Sequence, residues 1–201
     1  MLLIRKDVKG SLGFTDVCAP MKNKTLWITQ TAVLVALIVV IQAFTASFGN
    51  TFITGSFVNL ILILGVGLVG LWGGLSVALL SPIFAFFFKI GPTMWQLILC
   101  IAIGNAVLVL VWWFVLGTHG YNQYPRLVGA TIAGAIAKAL TLYLLIVKFM
   151  VPLVLQLPEP QATVVSATFS YPQLVTALLG GAMAVILMPQ LRRILKIKLE
   201  M

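Results

Sequence analysis

Six stretches of apolar residues run along this chain, separated by short turns that contain polar residues, glycine or proline. An α-helix rises about 1.5 Å per residue, so about 20 apolar residues cross a hydrocarbon core about 30 Å thick. The stretches predict membrane helices over residues 27–48, 52–71, 75–88, 94–116, 127–154 and 172–191. The third is the shortest, and it contains Pro82, which predicts a kink because proline lacks a backbone N–H.

The turns between these stretches carry little charge. Residues 72–74, with the sequence Trp-Gly-Gly, predict a tight turn before the third helix. Pro158, Glu159 and Pro160 begin a polar loop that runs to Ser170. The pattern therefore predicts an all-α integral membrane protein with one six-helix domain over residues 25–198.

Composition and charge agree with a membrane protein. The 201 residues are 61% hydrophobic and 8% charged, which leaves too few polar groups to cover a surface in water. The net charge of +9 comes mainly from basic residues before the first stretch and after the last. By the positive-inside rule, both chain ends then face the cytoplasm, which requires an even number of spans. No basic face interleaved with aromatic residues appears, so we expect no nucleic-acid binding.

The first residues predict a separate tail. Residues 1–24 are basic and lack the apolar segment of a signal peptide, so we expect a disordered cytoplasmic tail. Met21, directly before the first span, is a candidate for the true start of the protein.

The apolar stretches lack the residues of most catalytic and energy-coupling sites. They contain no Asp or Glu, and the only histidine, His119, lies in a loop. Paired-carboxylate catalysis and an HExxH zinc site are thereby excluded, and the chain also contains no GxxxxGK[ST] phosphate loop. Cys18 and Cys100 give no disulfide framework or metal-ligand spacing. We predict no enzymatic activity, no cofactor and no metal site, and a self-powered proton-coupled transporter is disfavoured because such proteins usually carry acids or histidines in the membrane.

One cation is predicted to lie deep in the membrane. Lys138 follows Arg126 by about 18 Å of helix, which places it near the midplane. Placing a lysine there costs roughly 2.5 to 3.5 kcal/mol, which suggests a ligand-binding use. The alternative is a structural link to Asn105 or to backbone carbonyls beside Pro82, and Asn59 has the same two interpretations.

Amides and aromatic residues at the outer ends of the helices predict a binding cavity. The candidate substrate-binding residues are Asn59, Lys89, Trp95, Gln96, Asn105, Lys138, Tyr171 and Gln173. For the aromatic residues, the alternative is a belt at the membrane interface. Because Lys89, Lys138 and Lys148 face only one acid, Glu159, we expect a neutral or anionic ligand rather than a cation.

The first helix also carries a strip of small residues. Ala32 and Ala36 lie four residues apart on one face of an otherwise bulky helix. Such a small-xxx-small strip allows a second helix to approach closely.

Together these features resemble the substrate-binding S component of energy-coupling factor (ECF) vitamin transporters. The resemblance covers roughly residues 24–198 and includes the segments TAVLVA (31–36), GSFVN (55–59), GLWGG (70–74), SP (81–82), and IGP (90–92) through GN (104–105). It implies a subunit of the prokaryotic cell membrane that binds a vitamin or related micronutrient from outside. It also implies association with a membrane coupling subunit, the T component, and with two ATP-binding cassette ATPases.

The resemblance also assigns roles to parts of the chain. It implies that Ala32 and Ala36 contact the coupling subunit, and that the substrate pocket forms from later helices and the loops around Asn50, residues 89–93 and residues 158–171. The apolar, amide-lined cavity favours a corrinoid or another neutral or anionic vitamin. The alternative functions are a self-sufficient small secondary transporter or channel, and a membrane scaffold or enzyme subunit.

Overall fold

Helices form most of the chain in the computed structural model, which describes residues 24–92, 94–117 and 123–194. Backbone polar groups find no water partners in a hydrocarbon core, so apolar stretches satisfy them within helices. The predicted tail, apart from Lys24, lies outside the described residues, as do Thr93 and His119.

The described chain has the following helical elements in order. They are α1 (Lys24–Ala46), α2 (Thr51–Val69), α3 (Leu71–Phe87), α4 (Trp95–Leu116), α5 (Tyr124–Leu142), a π-helical segment (Tyr143–Leu155) that continues α5, α6 (Gln161–Thr168) and α7 (Tyr171–Ile194). Five helical stretches are long and apolar enough to cross a membrane, and α3 is a shorter apolar helix of 17 residues. The predicted all-α fold with six membrane helices is confirmed.

Two ends of this bundle are useful reference points. Basic residues lie where α1 begins and α7 ends, at Lys24, Arg192 and Arg193, and this is called the basic end. The opposite end holds α6 together with the turns that follow α1 and α3, and it is called the α6 end. The predicted orientation makes the α6 end the outer one.

The third helix begins earlier than its sequence indicates. The turn predicted at residues 72–74 is wrong, because α3 already begins at Leu71 and the chain turns at Gly70. Gly70 has φ +90°, a left-handed conformation that favours glycine. Gly74 instead allows close packing, since a Cβ there would lie 2.9 Å from Cβ of Val66 on α2. Sequence does not distinguish a glycine used for turning from one used for packing.

The loop predicted before Ser170 contains a helix as well. The eight residues of α6 form one side of the α6 end, and the π-helical segment with Pro152 inside it forms the other. A small apolar core holds this end together and includes Leu97, Leu142, Ile146 and Phe169.

A larger core fills the remainder of the bundle. Its fully buried members include Trp112, Ile63, Val77 and Met188, from four different helices. Large apolar side chains such as Phe44, which is 68% exposed, cover the outside. Such a surface suits contact with lipid rather than water.

Helix α7 approaches α2 very closely at Gly180. A Cβ at this position would lie 2.6 Å from the Ser56 carbonyl oxygen and 2.7 Å from Cβ of Asn59. Only a residue without a side chain fits between these backbones. The close approach places α7 beside the polar side chain of Asn59 in the interior.

Candidate functional site

A buried polar cluster joins α2, α4, α5 and α7 inside the bundle. The Lys138 ammonium donates hydrogen bonds to Oδ1 of Asn59 at 2.6 Å and to Oδ1 of Asn105 at 2.7 Å. The Asn59 amide in turn donates to Oγ1 of Thr176 at 3.4 Å. All four residues are at most 3% exposed. The structure shows that Lys138 is buried and that two helices, α2 and α4, supply its acceptors.

The cluster is a closed arrangement of side chains. Its cation has amide oxygens as acceptors and no carboxylate, because Glu159 is the one acidic residue in the described part of the chain and lies at the α6 end. Hydrogen bonds to an ion in a low-dielectric interior are stronger than in water. The arrangement can therefore hold four helices together without an acidic partner.

The other five predicted binding residues lie toward the α6 end. Trp95 is 60% exposed and Tyr171 is 70% exposed. Lys89 is also exposed and has φ +57°, two residues after the end of α3. Gln96 and Gln173 are half-buried, and Nε2 of Gln173 donates to the Thr168 carbonyl oxygen at 3.4 Å. No side chain of these five forms a hydrogen bond with Lys138, Asn59 or Asn105, and one backbone link exists, from Oγ1 of Thr176 to the Gln173 carbonyl oxygen at 3.1 Å.

A polar groove of about 730 Å³ lies between the π-helical segment and α6, and it is called the α6 groove. Its polar lining residues are Gln156, Glu159, Thr163, Ser166 and Ser170. Its apolar lining residues are Val147, Val151, Pro152, Leu157, Ala162 and Ala167. The Glu159 carboxylate accepts a hydrogen bond from the Thr163 hydroxyl.

The resemblance implied that residues 158–171 contribute to the substrate pocket, but none of the residues that line this groove was among the candidate binding residues. A further signal was present, because Thr163, Ser166 and Ser170 recur at intervals of three and four residues in this loop. That spacing puts side chains on one face of a helix. Recognising it required the expectation that the loop folds as α6.

A second groove, of about 640 Å³, runs between α1 and α3 and is called the α1–α3 groove. Ala32 and Ala36 line it, together with bulkier residues that include Val35, Leu80 and Phe84. The small-residue strip therefore forms part of a depression on the outside of the bundle. Its lining is almost wholly apolar, as expected for a surface that contacts another membrane helix.

Two polar atoms in the α1–α3 groove lack partners. Nε1 of Trp27 and Oγ1 of Thr31 are buried and form no hydrogen bond within the residues that the structure describes. Thr31 is 7% exposed. Buried polar groups are usually paired, so these two atoms are exceptions.

The long apolar helices and the lipid-compatible surface define a multi-pass membrane protein with an enclosed polar cluster and two grooves. The family model for the ECF transporter, substrate-specific component, matches residues 27–192, which include most of α1 and all of α2 to α6. The chain belongs to this family, which confirms the resemblance noted from its sequence. Comparison with curated proteins and with solved structures gave no match.

Proposed function

We propose that this chain is the substrate-binding subunit of an ECF-type importer that takes up a vitamin or related micronutrient through an ATP-driven coupling module. Membership of the family of substrate-specific components supports this role. The observation that carries the proposal is the α1–α3 groove, in which Ala32 and Ala36 form a narrow apolar depression on an otherwise bulky bundle. The proposed location is the cell membrane of a prokaryote.

The proposed partner at the α1–α3 groove is the membrane coupling subunit, the T component, which associates with two ATPases. A helix of that subunit can approach α1 closely where Ala32 and Ala36 replace bulky side chains. The chain contains no phosphate-binding GxxxxGK[ST] motif, so a separate subunit has to hydrolyse ATP.

The proposed entrance for the substrate is the α6 end. Lys89, Trp95 and Tyr171 are exposed there, and Gln96 and Gln173 are half-buried beside them. Small-molecule sites combine apolar walls with a few polar groups, as this end does. A substrate could reach the buried cluster only if helices separated. We therefore propose that Asn59, Asn105 and Lys138 do not contact the substrate and instead hold the helices together.

The substrate class depends on which charges face the site. The sequence-based expectation of a neutral or anionic vitamin, such as a corrinoid, treats three lysines as members of one cavity. Lys138 is instead enclosed by two amides, and the Lys148 ammonium lies 5.7 Å from the centre of the Tyr143 ring. The charge around the proposed entrance is therefore less positive than the count of lysines suggests.

Copurification and transport together test the proposed function. The tagged chain, expressed in its own cells and extracted in mild detergent, should bring down one membrane coupling subunit and two ATPases. Reconstituted into liposomes, this complex should accumulate substrate only with ATP. Uptake driven by a proton gradient in liposomes that contain this chain alone would instead establish a self-sufficient secondary transporter.

A further inference from the structure

We propose that the α6 groove is the substrate site and that it selects a small organic cation, whose ammonium or protonated ring nitrogen binds the Glu159 carboxylate. This inference rests on the proposed function, because it assumes that the chain binds a small molecule at the α6 end. It differs from the neutral or anionic substrate that the lysine count favours.

The first support is the distribution of charge. Glu159 lines the groove, whereas no lysine or arginine does. Within residues 24–92, 94–117 and 123–194, Glu159 is the one acidic residue, and the basic residues nearest in sequence are Lys148 and Lys138. The Lys148 ammonium lies over the Tyr143 ring, and Lys138 is buried in the polar cluster. A ligand in the groove therefore meets a carboxylate and no lysine or arginine among the lining residues.

The second support is the unused hydrogen-bonding capacity of the groove. A carboxylate has two oxygens with about four acceptor positions, and the Thr163 hydroxyl occupies one of them at Oε2. The Ser170 hydroxyl donates to the Ser166 carbonyl oxygen, which leaves its own oxygen as an acceptor. Within the described residues, the other acceptor positions of Glu159 receive no hydrogen bond. This unused capacity suits a ligand that donates hydrogen bonds, as an ammonium does.

The third support is the shape of the opposite wall. Val147, Val151 and Pro152 come from the π-helical segment and present an apolar surface to the groove. Gln156 follows at φ +44°, a conformation that residues with a side chain seldom adopt. π-Helical turns are frequent at functional sites. A volume of about 730 Å³ lies in the range of roughly 300 to 1,000 Å³ that is usual for small-molecule sites.

These features describe the ligand in chemical terms. Its apolar or heteroaromatic body would lie against Val147, Val151 and Pro152, and its cationic nitrogen would point toward Glu159 and the hydroxyls of α6. An anionic molecule of the same shape would place its charge against the carboxylate. The groove should therefore discriminate between two molecules that differ only in the sign of one charged substituent.

Equilibrium dialysis of the full chain in lipid nanodiscs tests this directly. The probes are pyridoxamine and thiamine, which are cations, with 4-pyridoxate as the anionic counterpart of pyridoxamine. We expect at least one cation to bind and 4-pyridoxate to bind more weakly than pyridoxamine. Glu159→Gln should weaken binding of the cation about five- to tenfold, as expected for loss of one partly exposed charge-assisted hydrogen bond. Glu159→Lys should reverse the preference within the pyridoxamine and 4-pyridoxate pair.

Gln161→Ala is the matched control, because Gln161 is exposed at the start of α6 and does not line the groove. It should leave the affinities unchanged. The inference is overturned if neither cation binds, if 4-pyridoxate binds as well as pyridoxamine, or if Glu159→Gln leaves cation binding unchanged. Copurification of the coupling subunit with the same variants separates the two proposals: assembly without cation selectivity refutes this inference alone, whereas failure to assemble refutes the proposed function.

Discussion

Lys138 donates a hydrogen bond from Nζ to Oδ1 of Asn105 across 2.7 Å, and this contact joins α5 to α4 in the interior of the bundle. Asn59 on α2 accepts a second hydrogen bond from the same ammonium. A lysine placed in hydrocarbon is costly unless its hydrogen bonds are made. The two amide oxygens replace part of its lost hydration, and each asparagine in turn depends on the lysine for a donor.

Removal of the ammonium should therefore destabilise the bundle. In Lys138→Met, Oδ1 of Asn59 and Oδ1 of Asn105 lose their donor while remaining buried. We expect the free energy of unfolding to fall by about 1–3 kcal/mol, measured by denaturation in detergent. Lys148→Met is the control, because Lys148 is exposed and should change stability little. Unchanged stability with loss of substrate binding would instead make Lys138 a ligand contact.

Lys138 and Asn105 should also be energetically coupled. In the Lys138→Met background, the Asn105 side chain no longer accepts a hydrogen bond from an ammonium. Asn105→Leu should therefore lower the free energy of unfolding less in that background than in the wild type. We expect a coupling energy of about 0.5–3 kcal/mol in a double-mutant cycle. Strict additivity of the two changes would show that this contact contributes nothing of its own.

Bulk added to the α1–α3 groove should impair assembly. Ala32→Leu and Ala36→Leu fill a depression that the proposed coupling subunit occupies, so we expect about a tenfold loss of copurified subunit, equivalent to about 1.4 kcal/mol. Substrate binding should be retained, because the α6 groove shares no lining residue with this one. Ala43→Leu makes the same change at an exposed position of α1 outside the groove, and it should leave assembly intact. An equal effect at Ala43 would count against the groove as the interface.

The close contact between α7 and α2 should not tolerate a methyl group. Gly180→Ala brings a Cβ within 2.6 Å of the Ser56 carbonyl oxygen, which belongs to the backbone and cannot rotate away. We expect a loss of about 1–3 kcal/mol in stability, since α7 has to move. Gly129→Ala provides the comparison, because a Cβ there meets no atom within 4 Å. Its effect should be small or stabilising, as alanine favours helix.

A buried arginine should stabilise the basic end. Nη1 of Arg192 donates to the Gly67 carbonyl oxygen at 2.9 Å, and this carbonyl belongs to the last turn of α2, where helical acceptors lack partners within the helix. We expect Arg192→Met to lower stability by about 1–3 kcal/mol in the same denaturation assay. Arg193→Met, at the exposed neighbouring position, should have little effect. Equal losses would indicate a general effect of charge at this end.

Much of the fold could be predicted from hydropathy alone. In a hydrocarbon core without water, each apolar stretch has to form its backbone hydrogen bonds within itself, as a helix does. The helix containing Asn105 was accordingly predicted to within one residue at its start. The turn before α3 was misplaced, because glycine at position 70 and glycine at position 74 have the same signature in sequence and different uses in space. The helix α6 was missed because its polar residues resemble those of a loop.

The candidate sites could be predicted only in part. Helical rise predicted that Lys138 lies well inside the bundle, where it is 3% exposed, and spacing placed Ala32 and Ala36 on one face. Depth does not reveal direction, however, so sequence left open whether Lys138 met a substrate, Asn105 or the backbone near Pro82. Its two amide acceptors come from positions 33 and 79 residues away in the chain.

The sequence by itself determined the six membrane helices and the lack of acidic and histidine residues within them. Its small-residue strip and other segments also indicated the family. These properties are local, because each depends on the chemistry of one stretch of chain in contact with lipid. The tertiary structure alone decided that Lys138 is enclosed by Asn59 and Asn105 and that Glu159 faces a groove free of basic residues. Such relations depend on distances between helices, which close contacts such as that at Gly180 set.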